Sequence, residues 1–170
     1  MLTLNFFNSF FIIKIFFISA LLVTFYTDLK FMLISRFVTL YCVPVCWLFA
    51  YFNYLPITFL ESLCGTIFGY LLLWTVAKIA FYFYKVEALG QGDIDLLSFI
   101  GAFLGPVGCW FSLLIGSITG SIFGILYALA ARSSNFRTLR LPLGTFLVLG
   151  ALCTLFFSDY IQSLITILEI

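Results

Sequence analysis

Long apolar runs broken by short polar clusters set the pattern of this chain. A helix needs about 20 apolar residues to cross a bilayer, and the runs predict such helices in series. The first spans about Phe7 to Tyr26, interrupted by Lys14. Thr27-Asp28-Leu29-Lys30 and Ser35-Arg36 follow, and a second runs from about Phe37 to Phe52 with Pro44 as a kink. After a short loop at Asn53 to Pro56, a third covers about Thr58 to Tyr84, with Lys78 and Lys85 at its end. A shorter fourth, about Ile94 to Leu104, stops at the turn signal Gly105-Pro106-Val107-Gly108. The fifth runs from about Cys109 to Ala131 and the sixth from about Leu141 to Ser158, separated by the polar stretch Arg132 to Arg140. Asp159 to Ile170 reads as a short interfacial helix or a partial seventh span. The pattern predicts an all-α, polytopic integral membrane bundle of about six transmembrane helices, forming one membrane-embedded domain over residues 1–170. Met1 to Ile12 has no basic start and no small-residue cleavage site, so it reads as part of a retained helix.

Composition sharpens the class. The chain is 64% hydrophobic and 9% charged, against about 25% charged in soluble domains. It has no histidine, which removes Ser-His and Cys-His catalysis and the commonest metal ligand. A basic run of the kind that binds nucleic acid is also absent. Cys42, Cys46, Cys64, Cys109 and Cys153 are scattered through apolar segments. Cys42 and Cys46 lack the second pair of a zinc site, and all five are expected to be buried as small hydrophobes. No metal or cofactor is implied. Gly116, Gly120 and Gly124, with Ser117 and Ser121 beside them, form a small-residue stripe that suits close helix packing.

The charges divide by side. If the helices alternate, the connections at Asp28–Arg36, Lys85–Asp93 and Arg132–Arg140 share one face. With their flanks they hold Lys30, Arg36, Lys78, Lys85, Arg132, Arg137 and Arg140, seven of the eight basic residues. The opposite connections hold none. The excess of positive charge in cytoplasmic loops makes the basic face cytoplasmic. Asp28 and Asp93 then lie on that face together, each at the cytoplasmic end of a helix.

Asp93 belongs to Ala88-Leu89-Gly90-Gln91-Gly92-Asp93-Ile94-Asp95-Leu96-Leu97, where two glycines and two carboxylates meet a strongly apolar segment. Gly90 and Gly92 permit backbone angles and close approaches that a side chain would block. Asp93 reads either as a helix cap or as a functional acid at the membrane boundary. Asp95 is a poor partner for it, because residues two apart do not face each other on a helix. Asp28 is the better partner. Two converging carboxylates cannot easily both ionise. One can activate a water while the other, protonated, polarises a peptide carbonyl and later protonates the leaving amine. The same pair could instead bind a cation or relay protons in a carrier.

The glycine turn, Gly90-Gln91-Gly92-Asp93 with Ile94-Asp95-Leu96-Leu97 and Ile100-Gly101-Ala102-Phe103-Leu104-Gly105, resembles the second catalytic region of type IV prepilin peptidases. These are polytopic aspartic proteases of the GxGD class. Asp28-Leu29-Lys30 with Ile34 and Leu40 resembles their first catalytic region. Leu141-Pro142-Leu143-Gly144-Thr145-Phe146-Leu147 with Leu149-Gly150-Ala151 is similar to their late Pro-x-Gly-Pro-Phe segment. The resemblance covers nearly the whole chain in the right order.

It implies a catalytic dyad of Asp28 and Asp93, supported by Gly90 and Gly92, with no cofactor and no metal. The implied reaction removes a short basic leader from a pilin-like or pseudopilin precursor with a hydrophobic helix. It would occur at the cytoplasmic face of a prokaryotic inner membrane, with the lipid bilayer as the other partner and no nucleic acid. The family usually has proline at the positions of Ser35 and Thr145, often asparagine at Arg36, and lysine at Asp95. Here Asp95 and Glu87 are expected to attract a basic leader, though Asp95 could simply favour the start of its helix. The chain resembles the short, peptidase-only forms, so N-methyltransferase activity is not expected. The alternatives are a catalytically inactive relative, or a small ion-coupled carrier using Asp28 and Asp93. A carrier is expected to show internal repeats with broken helices, and the glycine turn has no duplicate.

Overall fold

A computed structural model describes residues 2–85, 89–130 and 142–158. Among these every regular element is an α-helix, with no strand. The elements are α1 (Leu2–Phe31), α2 (Arg36–Tyr51), α3 (Phe59–Tyr84), α4 (Gln91–Ala130) and α5 (Leu143–Phe156). Glu87, the stretch Arg132 to Arg140 and the tail from Asp159 lie outside the described residues.

Most boundaries fall close to those the apolar runs predict, but α1 does not. It continues past Tyr26 to Phe31, so Asp28 is at a helix end as expected, but on the last turns of the helix, with Lys30, rather than just beyond its apolar run. The hydroxyls of Thr24 and Thr27 donate to carbonyls of the turn before them, and the Lys30 ammonium lies over Tyr26 and Phe31. These local contacts let the polar residues continue the helix. Met32, with φ 51°, then ends it. α3 begins with a capping box, in which the Thr58 side chain accepts from the Glu61 N–H and Glu61 reaches back to the Thr58 N–H, two otherwise orphaned donors satisfied together.

α4 is a hairpin in one helix's name. Its non-helical residue is Gly105, with φ 74° and ψ −178°, a region open essentially to glycine alone. Past it the chain reverses. Cys109 Sγ lies 3.8 Å from the Leu97 carbonyl oxygen, whereas a straight helix would put residues twelve apart about 18 Å from each other. The turn at Gly105-Pro106 therefore separates two limbs, 91–104 and 106–130, as the sequence predicts.

The first limb is the centre of the bundle. Ile94, Leu96, Leu97, Phe99, Ile100, Ala102 and Phe103 are all buried. α3 lies against it where Gly65 meets Gly101 and Gly69 meets Leu97, contacts that no larger residue would allow. Ser62 and Ser98 hydroxyls bond to carbonyls across the same interface, polar links of the kind used between helices in lipid. Phe17 of α1, fully buried, stacks on Phe103 with ring centroids 3.8 Å apart. α5 closes on the second limb. Gly116 and Gly120 of the small-residue stripe lie against Phe146, and Gly150 against Ser112.

Three stretches are long and apolar enough to cross a membrane, Phe10–Phe31, Phe59–Phe83 and Gln91–Tyr127, the last of them folded into the two limbs of α4. Val38–Tyr51 and Leu143–Phe156 are shorter apolar helices. Cys46 and Cys109 are buried as expected, but Cys64 and Cys153 are exposed, a correction to the expectation of uniform burial. Their helix positions fall on outward faces, beside many exposed large apolar side chains.

Candidate active site

Three helix ends meet around Asp28. It lies on the last turns of α1, only 4% exposed. Its Oδ2 accepts the backbone N–H of Thr145 at 2.7 Å. Thr145 is the third residue of α5, where backbone N–H groups have no partner within their own helix. Gly144 makes that approach possible, since a Cβ there would stand 2.9 Å from Asp28 Oδ2.

Asp93 is in the first turn of α4. The helix already begins at Gln91, so Asp93 is not its cap; Gly90 occupies that place, and the Asp93 N–H bonds to the Gly90 carbonyl at 3.2 Å. The Asp93 carboxylate leans back on the Gly90 backbone and is close enough to Asp28 to interact with it electrostatically. Gly144 borders Asp28, and Ile34 packs on both Gly144 and Gly92, the residue before Asp93, so the two acids lie at one junction of the bundle although 65 positions separate them in the sequence.

Ile34 is wedged between the starts of α4 and α5. On one side it packs on Gly92, whose absent Cβ would lie 2.7 Å from Ile34 Cβ. On the other it packs on Gly144, where a Cβ would meet Ile34 Cδ1 at 2.5 Å. The linker from Met32 to Ser35 thus rests on the starts of α4 and α5 at once. Gly92 serves this close approach, and Gly90 leaves room beside Asp93 Oδ2, 3.3 Å from where its Cβ would be.

Asp95 is elsewhere. It is 4% exposed, and its Oδ2 is 2.7 Å from Arg36 Nε. A leader residue would have to displace Arg36 to reach this carboxylate. The sequence reading missed this pair, along with the Thr145 N–H. The opposite charges of Arg36 and Asp95, both unusual against the resembling family, were the available signal for the first. A backbone donor leaves no signal in residue identity.

No group of three or more Cys, Asp or Glu side chains that could hold a metal is found among the described residues. A hollow beside the site is lined by Trp74, Lys78 and Phe81 of α3 together with Gly90, Gln91 and Ile94. At the far end of the bundle, Ile57, Gly105 and Thr154 gather around a separate cavity of about 200 Å³.

The chain is 30% identical over 122 residues to a prepilin leader peptidase/N-methyltransferase of Pseudomonas putida, covering 71% of this chain and 42% of that protein. It is 31% identical over 140 residues to the protein of that name from Aeromonas salmonicida (strain A449), covering 80% and 46%. A type 4 prepilin-like proteins leader peptide-processing enzyme of Escherichia coli O78:H11 is 30% identical over 109 residues, 64% and 36% of the two chains. The chain thus spans less than half the length of these curated relatives. No solved structure matches it. The family model described as the type IV leader peptidase family matches residues 15–125. That stretch runs from within α1 to near the end of α4 and includes Asp28, Arg36, Asp93 and Asp95, so the chain belongs to the type IV leader peptidase family.

Proposed function

We propose that this protein is a membrane aspartic endopeptidase that removes the leader from pilin-like or pseudopilin precursors, with Asp28 and Asp93 as its dyad. The observation that carries the reading is the meeting of these two acids, from the end of α1 and the start of α4, beside the N-terminus of α5. Family membership supports peptide-bond cleavage over an ion-coupled carrier.

In this mechanism one ionised carboxylate takes a proton from a water, whose oxygen attacks the scissile carbonyl carbon. The protonated partner donates to the carbonyl oxygen. As the tetrahedral intermediate collapses, the C–N bond breaks and the amine leaves with a proton. Backbone contacts from Thr145 and Gly90 steady the two carboxylates. The site end of the bundle faces the cytoplasm of a prokaryotic inner membrane in this reading. Lys30, Arg36 and Lys85 sit at helix ends on that side, with Lys78 two turns inside the end of α3, in keeping with positive charge on the cytoplasmic face.

The test is cleavage, in membranes, of a precursor with a short basic leader, a glycine and a hydrophobic helix. Asp28→Asn and Asp93→Asn keep the shape and remove the acid, and each is expected to lower turnover by at least about 10²–10⁴-fold. Full processing by Asp93→Asn would remove it from the dyad. An intact precursor with the wild-type protein would favour a catalytically inactive relative.

A further inference from the structure

Among the described residues two acidic side chains are almost fully buried, Asp28 and Asp95, each 4% exposed. Asp28 belongs to the proposed dyad. Asp95 is held by Arg36 at 2.7 Å, as a buried carboxylate requires. Nothing local to α2 calls for an arginine at this position. Arg36 is the first residue of α2, where the helix macrodipole disfavours a cation. Its role lies across the gap, in α4.

That contact has a matching one nearby. Ile34, two residues before Arg36, lies on Gly92, three residues before Asp95. The two contacts fix how close the 32–35 linker comes to α4 and where along α4 it lies. Asp93 stands between the two α4 positions, and Asp28 is one turn before the linker begins. Farther down, Phe17 on Phe103 holds α1 to the first limb eleven residues from Asp28, about 16 Å along the helix.

We propose that the Arg36–Asp95 ion pair is a positioning clasp, which keeps the α1–α2 linker in register on the first turns of α4 and so keeps Asp28 facing Asp93. The inference rests on the peptidase reading of those two acids. Arg36 and Asp95 touch no reacting atom in this scheme; they act through the dyad. Asp95 is then neutralised and not a bait for a basic leader, and the exposed partner is Arg36, 58% accessible.

The experiment compares wild type, Arg36→Gln, Asp95→Asn and the double variant, with Arg36→Lys as the charge-keeping control. Each is given two precursors, one with a lysine-bearing leader and one with those lysines replaced by glutamine. The readouts are kcat and KM per folded enzyme, and the thermal midpoint in detergent. Each single neutral variant is expected to lose at least tenfold in kcat, with KM within threefold on both precursors. The double variant is expected to be no worse than the poorer single, and Arg36→Lys to recover part of the loss. Unchanged kcat per folded enzyme, or losses that multiply in the double variant, would overturn the clasp. So would a KM rise confined to the basic leader, which would return the pair to substrate recognition. If the wild type leaves both precursors intact, the peptidase reading fails on its own. The clasp then stands or falls on the midpoints: shifts that do not add sustain it, and additive shifts overturn it.

Discussion

Thr145 serves the site through its backbone, and two substitutions separate that from its side chain. The hydroxyl donates to the Pro142 carbonyl, while the N–H holds Asp28. Thr145→Ala loses only the first. Thr145→Pro loses both, at a first-turn position where proline fits a helix. The difference in stability between them is expected to be about 1.5–3 kcal/mol, the worth of a hydrogen bond to a charged group, read by denaturation in detergent. The family's usual proline at this position has no N–H, so the threonine gives this chain a donor that proline cannot. Gly144 is equally exacting. A valine there would press on Asp28 Oδ2 and Ile34. Displacing a catalytic group by about 1 Å is expected to cost about 10²-fold in turnover, seen as a fall in kcat for the pilin-like precursor.

At the scale of elements, the α4 hairpin depends on one residue. Gly105→Ala has space around its new Cβ, which would meet Ile57 at 3.7 Å, so its cost is backbone strain at φ 74°. It is expected to destabilise the protein by about 1–3 kcal/mol, measurable as a lower thermal midpoint with kcat per folded enzyme retained. This turn was legible in the sequence because Gly-Pro-Val-Gly interrupts an apolar run. Asp93 at a helix start was legible for the same reason, as two glycines precede it. The end of α1 was not. Asp28 reads as standing at a helix end, but the apolar run stops at Tyr26, and the five further residues of α1 are not legible until the contacts that satisfy Thr27-Asp28-Leu29-Lys30 are known. Some are local, such as Thr27 to Thr24, but Asp28 is satisfied by α5, 117 residues away. The Arg36–Asp95 pair joins residues 59 apart, so apolar periodicity could locate each helix without revealing the contact between them.

For the whole molecule, the outward faces carry the information. Leu60, Tyr82, Phe83, Leu129 and Phe156 are each more than 70% exposed, an arrangement that lipid rather than water would stabilise. The described basic residues at helix ends gather at the end that holds Asp28 and Asp93. The reading of that end as cytoplasmic predicts that Lys85→Cys, in a background without native cysteines, escapes an impermeant thiol reagent in intact cells and reacts once the cells are opened. Labelling from outside would reverse the orientation and put the proposed cleavage on the other side of the membrane.

The bond from Thr145 to Asp28 also orders events in time. A ribosome makes Asp28 and Asp93 well before α5. Until Pro142 and the residues after it are in place, Asp28 has neither its donor nor the Gly144 wall beside it. A chain stopped after Ala131 is therefore expected to insert into membranes and leave precursor uncut. A half-made copy would hold both acids without acting on neighbouring chains, and the proposed proteolysis would begin only once α5 is in place.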